Sequence, residues 1–73
     1  MEGGLTVVEK HANRIREIRK SKGMSLSDLS GVVGISIAYL SDIERGNRPG
    51  SELIIGQIAK QLGVSVADLR KAG

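Results

Sequence analysis

The sequence of 73 residues contains no cysteine, one histidine and a single aromatic residue, Tyr39. Without cysteine it can form neither a disulfide nor a thiolate metal site, and His11 cannot build a metal site unaided. One aromatic ring offers no stacking platform for single-stranded nucleic acid. No apolar run approaches the roughly 20 residues of a membrane span, and the first residues are not typical of a signal peptide. We therefore expect no metal, no cofactor, no membrane association and a cytoplasmic location.

The small size of the chain argues against catalysis. A domain of this length buries only about 60% of the surface of its unfolded chain, so folding uses most of its apolar residues. A catalytic site needs a walled pocket, and no combination of serine, histidine and acidic residues suggests a triad. The expected function is therefore binding, with no catalytic residues.

Charge is unevenly distributed along the chain. The net charge is +3, from 11 lysines and arginines and 8 acidic residues. Residues 25–44 contain Asp28, Asp42 and Glu44 but no lysine or arginine, so every basic residue lies in a flanking segment. The basic excess favours an anionic partner.

Start and stop signals for helices alternate along the sequence. An acid follows serine or threonine by three positions, the spacing of a capping box, in Thr6–Glu9, Ser25–Asp28 and Ser65–Asp68. Ser36 and Ser51 are suitable N-caps for two more helices. The corresponding stop signals are Gly23, Gly34, Gly46 and Gly63. The predicted helices cover about 6–22, 25–33, 36–45, 51–62 and 65–71, in one domain over 6–73 after a flexible segment over 1–5.

Apolar residues recur at helical spacing and define the expected core. These residues are Ala12, Ile15, Ile18, Leu29, Val32, Val33, Leu40, Ile43, Ile55, Ile58, Ala59, Leu62, Val66 and Leu69. The second and third helices are short and joined by about three residues around Gly34, which predicts a helix-turn-helix over about residues 25–45. This geometry fits DNA binding, and an αα-hairpin without nucleic acid fits the same spacing.

Several runs of residues resemble the Xre-type helix-turn-helix family, the family of phage repressors and Cro proteins. The resemblance extends from about Ile15 to Leu69. Its runs are Gly23-Met24-Ser25, Leu29, Gly34-Ile35-Ser36, Tyr39-Leu40-Ser41, Ile43-Glu44-Arg45-Gly46 and Ile58-Ala59-Lys60-Gln61-Leu62-Gly63-Val64. The resemblance implies an all-α, compact five-helix lambda-repressor-like domain. It also implies a repressor-like transcriptional regulator that binds double-stranded DNA at a two-fold operator as a homodimer.

The resemblance also implies roles for individual residues, with the third helix in the major groove. The implied base-reading residues are Ile37, Ala38, Ser41 and Asp42. The implied phosphate-binding residues are Ser25, Tyr39, Arg45, Asn47 and Arg48. Arginines offer charged donors to phosphate, although Arg45 and Arg48 could instead offset a helix dipole. Arg19 and Glu44 are implied to form a largely buried ion pair.

Two residues depart from the family pattern. The family usually has glutamine where this chain has Leu26, and often a polar residue where it has Ile37. Neither side chain can donate to a base edge, but Ile37 and Ala38 can contact thymine methyl groups, and Asp42 can accept from cytosine. Leu26 and Ile37 could instead form an apolar patch that binds a protein partner. The alternative function is therefore a protein-interaction module, or an antitoxin-type partner, of the same fold.

Overall fold

The computed structural model describes residues 14–70. Within this range α1 covers helical residues 14–21, and four further helices follow: α2 (Leu26–Val33), α3 (Ile37–Glu44), α4 (Glu52–Leu62) and α5 (Val66–Arg70). The described part of the chain contains no strand. Residues 1–5, the Thr6–Glu9 box and Ala12 lie outside it.

The helix ends form at the predicted capping residues. The Ser25 hydroxyl accepts from the Asp28 amide at 2.9 Å, and an Asp28 carboxylate oxygen accepts from the Ser25 amide at 3.0 Å. The hydroxyls of Ser36 and Ser51 cap α3 and α4 by accepting from the backbone amide three residues on, at 3.0 and 3.1 Å. Gly34 ends α2 in the left-handed conformation, with φ 88°. The predicted positions of α2, α3 and α4 are therefore confirmed.

All four helices after α1 contribute to a single apolar core, to which α1 adds Ile15. Its buried members are Ile15, Leu29, Leu40, Ile43, Ile55, Ile58, Ala59, Leu62 and Leu69. Helix α2 packs against both α3 and α4, and α4 packs against α5. In α3 this packing buries Leu40, Ile43 and Glu44 and leaves the first turn of the helix exposed.

The buried face of α2 differs from the predicted one. Val32 is 54% exposed, whereas Ser30 is only 3% exposed, so the prediction that Val32 belongs to the core is wrong. Successive helical residues are rotated by about 100°. The face that buries Leu29 and packs Val33 against the core therefore includes Ser30 and excludes Val32. Burial of Ser30 is possible because its hydroxyl donates to the Ser27 carbonyl at 3.2 Å.

The connection between α3 and α4 depends on a glycine that the stop signals did not include. Gly50 has φ 74°, a conformation that other residues rarely adopt. A Cβ atom at this position would lie 3.1 Å from Ile43 Cδ1 and 3.2 Å from Ile55 Cδ1. Glycine at this position therefore allows the loop to cross closely over the core.

A buried ion pair joins α1 to α3. Arg19 donates from Nε to Glu44 Oε2 at 2.7 Å and from Nη2 to Oε1 at 3.0 Å. Its remaining terminal nitrogen, Nη1, donates to the Met24 carbonyl at 2.8 Å. The Arg19 guanidinium thus connects the end of α1, the Met24 carbonyl just before α2 and the end of α3.

Candidate nucleic-acid interface

Helices α2 and α3 are bent by 109° relative to each other across the Gly34 turn. This angle lies in the range of about 90–120° that is typical of a helix-turn-helix. Ser25 lies at the start of α2, where its hydroxyl serves as the cap. Such a start leaves first-turn amides that can donate to a phosphate.

The predicted base-reading residues differ in exposure along α3. Ile37 is 49% exposed and Ala38 is also exposed, so the first turn of the helix presents two apolar side chains to solvent. Ser41 and Asp42, one turn later, are half-buried. Contact with a base edge is therefore available mainly to Ile37 and Ala38.

The apolar patch that the sequence suggested at Leu26 and Ile37 is smaller than expected. Leu26 is partly buried and packs against the core, whereas Ile37 is exposed. Part of the apolar surface of Leu26 is therefore buried within the domain. Of the two side chains, Ile37 exposes most of the apolar surface.

Asp42 is paired with two of the predicted phosphate-binding arginines. Its Oδ1 lies 3.4 Å from Arg45 Nη2, and its Oδ2 lies 3.7 Å from Arg48 Nε. The guanidinium carbon of Arg48 lies 5.5 Å from the centre of the Tyr39 ring, within the range of a cation–π contact. We call Tyr39, Asp42, Arg45 and Arg48 the Asp42 cluster. It offsets the negative charge that Asp42 would otherwise present to a duplex.

The backbone after α3 brings Arg48 back to this cluster. The Asp42 carbonyl accepts from the Asn47 amide at 2.8 Å and from the Arg48 amide at 3.3 Å. Gly46, with φ 79°, permits the tight reversal between them. Both arginines and Asn47 are exposed, so their side chains can also reach a ligand.

A groove beside α3 contains a basic residue that the sequence analysis did not select. The groove has a volume of about 210 Å³, and we call it the α1–α3 groove; its lining residues are Arg16, Arg19, Leu26, Ser41, Glu44 and Arg45. Arg16 is exposed and precedes Arg19 by three positions, which places both on one face of α1. That spacing is the signal that could have identified Arg16.

Between residues 14 and 70 no group of three or more histidine, cysteine, aspartate or glutamate side chains is arranged to hold a metal ion. In the same range no single helix is long and apolar enough to cross a membrane. Helices α2 and α3 reach the length and apolar composition of a membrane span only when they are counted together, and they are bent relative to each other.

Known proteins resemble this chain in sequence. A sequence model of a family described as helix-turn-helix matches residues 15–69. The HTH-type transcriptional regulator DdrOP3 of Deinococcus deserti is 40% identical over 60 residues, which cover 82% of this chain and 46% of that protein. The chain thus spans about half the length of this curated relative.

Known structures resemble it as well. The restriction-modification controller protein C.AhdI of Aeromonas hydrophila superposes with a TM-score of 0.82 at 32% identity, covering 85% of this chain and 94% of that one. SinR, described as the master regulator for biofilm formation and crystallised with DNA, gives a TM-score of 0.77 at 37% identity. That match covers 84% of this chain and 98% of the crystallised SinR chain. These matches confirm the expected all-α lambda-repressor-like fold.

Proposed function

We propose that this chain, which belongs to the Xre-like helix-turn-helix family of transcriptional regulators, represses transcription by binding a two-fold DNA operator as a homodimer. Proteins of this family are not enzymes. The observation that carries this proposal is the placement of α3. Its exposed first turn lies at a 109° bend from α2, and two exposed arginines follow its last turn. The proposal implies that the protein acts on double-stranded DNA in the cytoplasm.

Phosphate contacts provide most of the proposed affinity. Arg45 and Arg48 are exposed cations in the Asp42 cluster, and each can neutralise one phosphate. The other proposed donors are Ser25 with the start of α2, Tyr39 and Asn47. Such contacts orient α3 on the duplex and carry no sequence information directly.

Base preference in this proposal comes from the first turn of α3. Ile37 and Ala38 have no polar groups in their side chains, so their contact with DNA is apolar and is directed at thymine methyl groups. Ser41 and Asp42, one turn further on, are half-buried and contribute less to this preference. We therefore expect half-sites rich in A·T pairs, spaced about one helical turn apart in a two-fold operator.

Binding-site selection tests the proposal. The protein is incubated with random duplexes, and bound sequences are amplified and read over several rounds. An enriched two-fold motif with A·T-rich half-sites supports operator binding, and sedimentation of the complex gives two protomers per operator. Absence of any enriched motif contradicts it.

The second candidate function is a protein-interaction module, including an antitoxin-type partner. The observation in its favour is the adjacent exposure of Ile37, at 49%, and Ala38, because contiguous apolar surface marks interaction sites. On this proposal, Ile37→Gln abolishes association with a protein partner and leaves DNA affinity unchanged. The matched control is Val32→Gln, since Val32 is also an exposed aliphatic residue, at 54%, but lies on α2.

A further inference from the structure

We infer that the α1–α3 groove holds one phosphodiester of the DNA backbone, with Arg16 and Arg45 as its cationic walls and Ser41 as a hydroxyl donor. The inference rests on the proposed function and adds a residue, Arg16, and a site to it. The groove lies between α1, the first residue of α2 and the last turn of α3 with the residue that follows it.

The charge of the groove selects an anion. Three guanidinium groups and one carboxylate line it. The carboxylate, Glu44, has both oxygens engaged by Arg19, at 2.7 and 3.0 Å. The third nitrogen of Arg19 donates to the Met24 carbonyl. The buried ion pair therefore contributes no net charge to the lining of the groove. The charge that remains for a ligand is that of Arg16 and Arg45.

The two walls of the groove are accessible. Arg16 is exposed, and none of the carboxylates within the described range forms an ion pair with it. Arg45 retains 64% exposure of its side chain, and its pairing with Asp42 is long, at 3.4 Å. An exposed ion pair of this kind is worth at most about 1 kcal/mol. Arg45 can therefore turn towards a phosphate at small cost.

The location and size of the groove fit a backbone phosphate beside the recognition helix. Ser41 follows Ile37 by four positions and Arg45 follows Ser41 by four, so the groove borders the α3 face that begins at Ile37. A volume of about 210 Å³ exceeds severalfold the roughly 10–15 Å³ that one water needs on the same measure. It accommodates a phosphate group together with bridging waters.

This assignment gives Ser41 a different task from the one implied by family resemblance. A hydroxyl that lines the groove with two arginines donates to phosphate, and phosphate contacts do not discriminate among bases. We therefore expect Ser41→Ala to weaken binding to selected and random duplexes by the same factor. Altered base preference in Ser41→Ala would contradict this part of the inference.

The main test compares Arg16→Gln, Arg16→Lys and the wild type in titrations against a selected and a random duplex at several salt concentrations. Each lost phosphate contact lowers the slope of log K against log salt by about 0.9. We expect Arg16→Gln to lower the slope by up to that amount per protomer on both duplexes, since Arg45 remains at the same phosphate, and Arg16→Lys to keep most of the wild-type slope. Lys60→Gln removes an exposed charge from α4 and should leave the slope unchanged. Circular dichroism verifies that each variant is folded.

A second measurement locates the phosphate. A neutral methylphosphonate is placed at each backbone position of the selected duplex in turn. At one position per half-site it should weaken wild-type binding clearly more than Arg16→Gln binding, because only Arg45 still faces that phosphate in the variant. If no position shows this difference, the groove does not hold a backbone phosphate.

Failure of this inference is distinguishable from failure of the proposed function. Wild-type binding with an unchanged slope in Arg16→Gln contradicts the groove site alone, whereas absence of wild-type binding to any duplex contradicts both. Inorganic phosphate at constant ionic strength provides the remaining arm. If it perturbs the Arg16 Nε–H NMR signal as strongly as the duplex does, the groove is a site for free phosphate and its assignment to DNA is wrong.

Discussion

Glu44 accepts two hydrogen bonds from Arg19, a residue 25 positions earlier in the chain, and both side chains are more than nine-tenths buried. Taking two charges out of water costs free energy, which the bidentate geometry offsets only while both partners are present. The same guanidinium donates to the Met24 carbonyl. Loss of either partner therefore disturbs α1, α3 and the entry to α2 together.

We expect Arg19→Met and Glu44→Gln each to lower the free energy of unfolding by about 3–5 kcal/mol, because each leaves one buried group without its partner. Glu17→Gln is the control, since Glu17 pairs with Arg14 on the surface and is 67% exposed; its expected cost is under about 1 kcal/mol. Urea unfolding curves measure all three. Losses below about 1 kcal/mol at Arg19 and Glu44 would show that the pair contributes no more than a surface pair.

Asp42→Asn should strengthen binding to every duplex. The Asp42 carboxylate neutralises part of the charge of Arg45 and Arg48 and repels phosphates, and the amide removes both effects. Since exposed pairs are worth about 0.2–1 kcal/mol, the expected gain is up to about fivefold per protomer. Glu52→Gln, which changes the net charge equally at an exposed residue of α4, is the control. Weaker binding of Asp42→Asn, with loss of a cytosine preference, would show instead that Asp42 reads a base.

Arg45→Ala and Arg48→Ala should each weaken binding to all duplexes alike. Each removes one cation that neutralises a phosphate, so the salt slope falls by up to about one unit per protomer, and less at Arg45 where Arg16 faces the same phosphate. The enriched motif should remain the same, because phosphate carries no sequence information. Salt titrations against selected and random duplexes measure both properties. An unchanged slope in Arg45→Ala would mean that Arg45 only offsets charge within the domain.

Ile37→Gln should change base preference at one or two positions of each half-site. Glutamine replaces an apolar contact with thymine by a side chain that can hydrogen-bond to adenine. Repeated binding-site selection with the variant detects the change. Val32→Gln should return the wild-type motif, since Val32 lies on the exposed side of α2. If Ile37→Gln also returns the wild-type motif, Ile37 does not contact bases.

Gly50→Ala should destabilise the domain by about 1–3 kcal/mol, because it combines a positive φ with an overpacked contact on Ile43 and Ile55. Gly31→Ala is the matched control. Gly31 lies within α2, and a methyl group added there would point into open space, so alanine should stabilise the helix by about 0.5–1 kcal/mol. Thermal and denaturant unfolding compare the two variants. Equal stability of Gly50→Ala and the wild type would show that the loop relaxes without cost.

Local sequence sufficed for the ends of the helices. The boxes at Ser25–Asp28 and Ser65–Asp68 form hydrogen bonds over three positions, and Gly34 and Gly63 end their helices in the left-handed conformation. A capping side chain reaches only the first-turn amides of its own helix. No distant residue is needed for such a signal to act, so it can be recognised without knowledge of the fold.

The candidate site was predictable only in part. Family resemblance selected Arg45 and Arg48 as phosphate contacts, and the structure shows both to be exposed. It did not reveal that both arginines lie beside Asp42, because that proximity depends on the path of the backbone after Gly46. It also did not select Arg16, whose relevance arises from the position of α1 beside α3.

Burial on α2 required knowledge of the packing of the other helices. Val32 and Val33 are chemically alike, yet Val32 is exposed and Val33 packs against the core beside the buried Ser30. Periodicity defines an apolar stripe on a helix, but the centre of the buried stripe depends on where α3 and α4 lie. The need for glycine at position 50 also depends on packing, since the approach of Ile43 and Ile55 leaves no room for a side chain there. Contacts between helices are long-range in sequence, and no local signal encodes them.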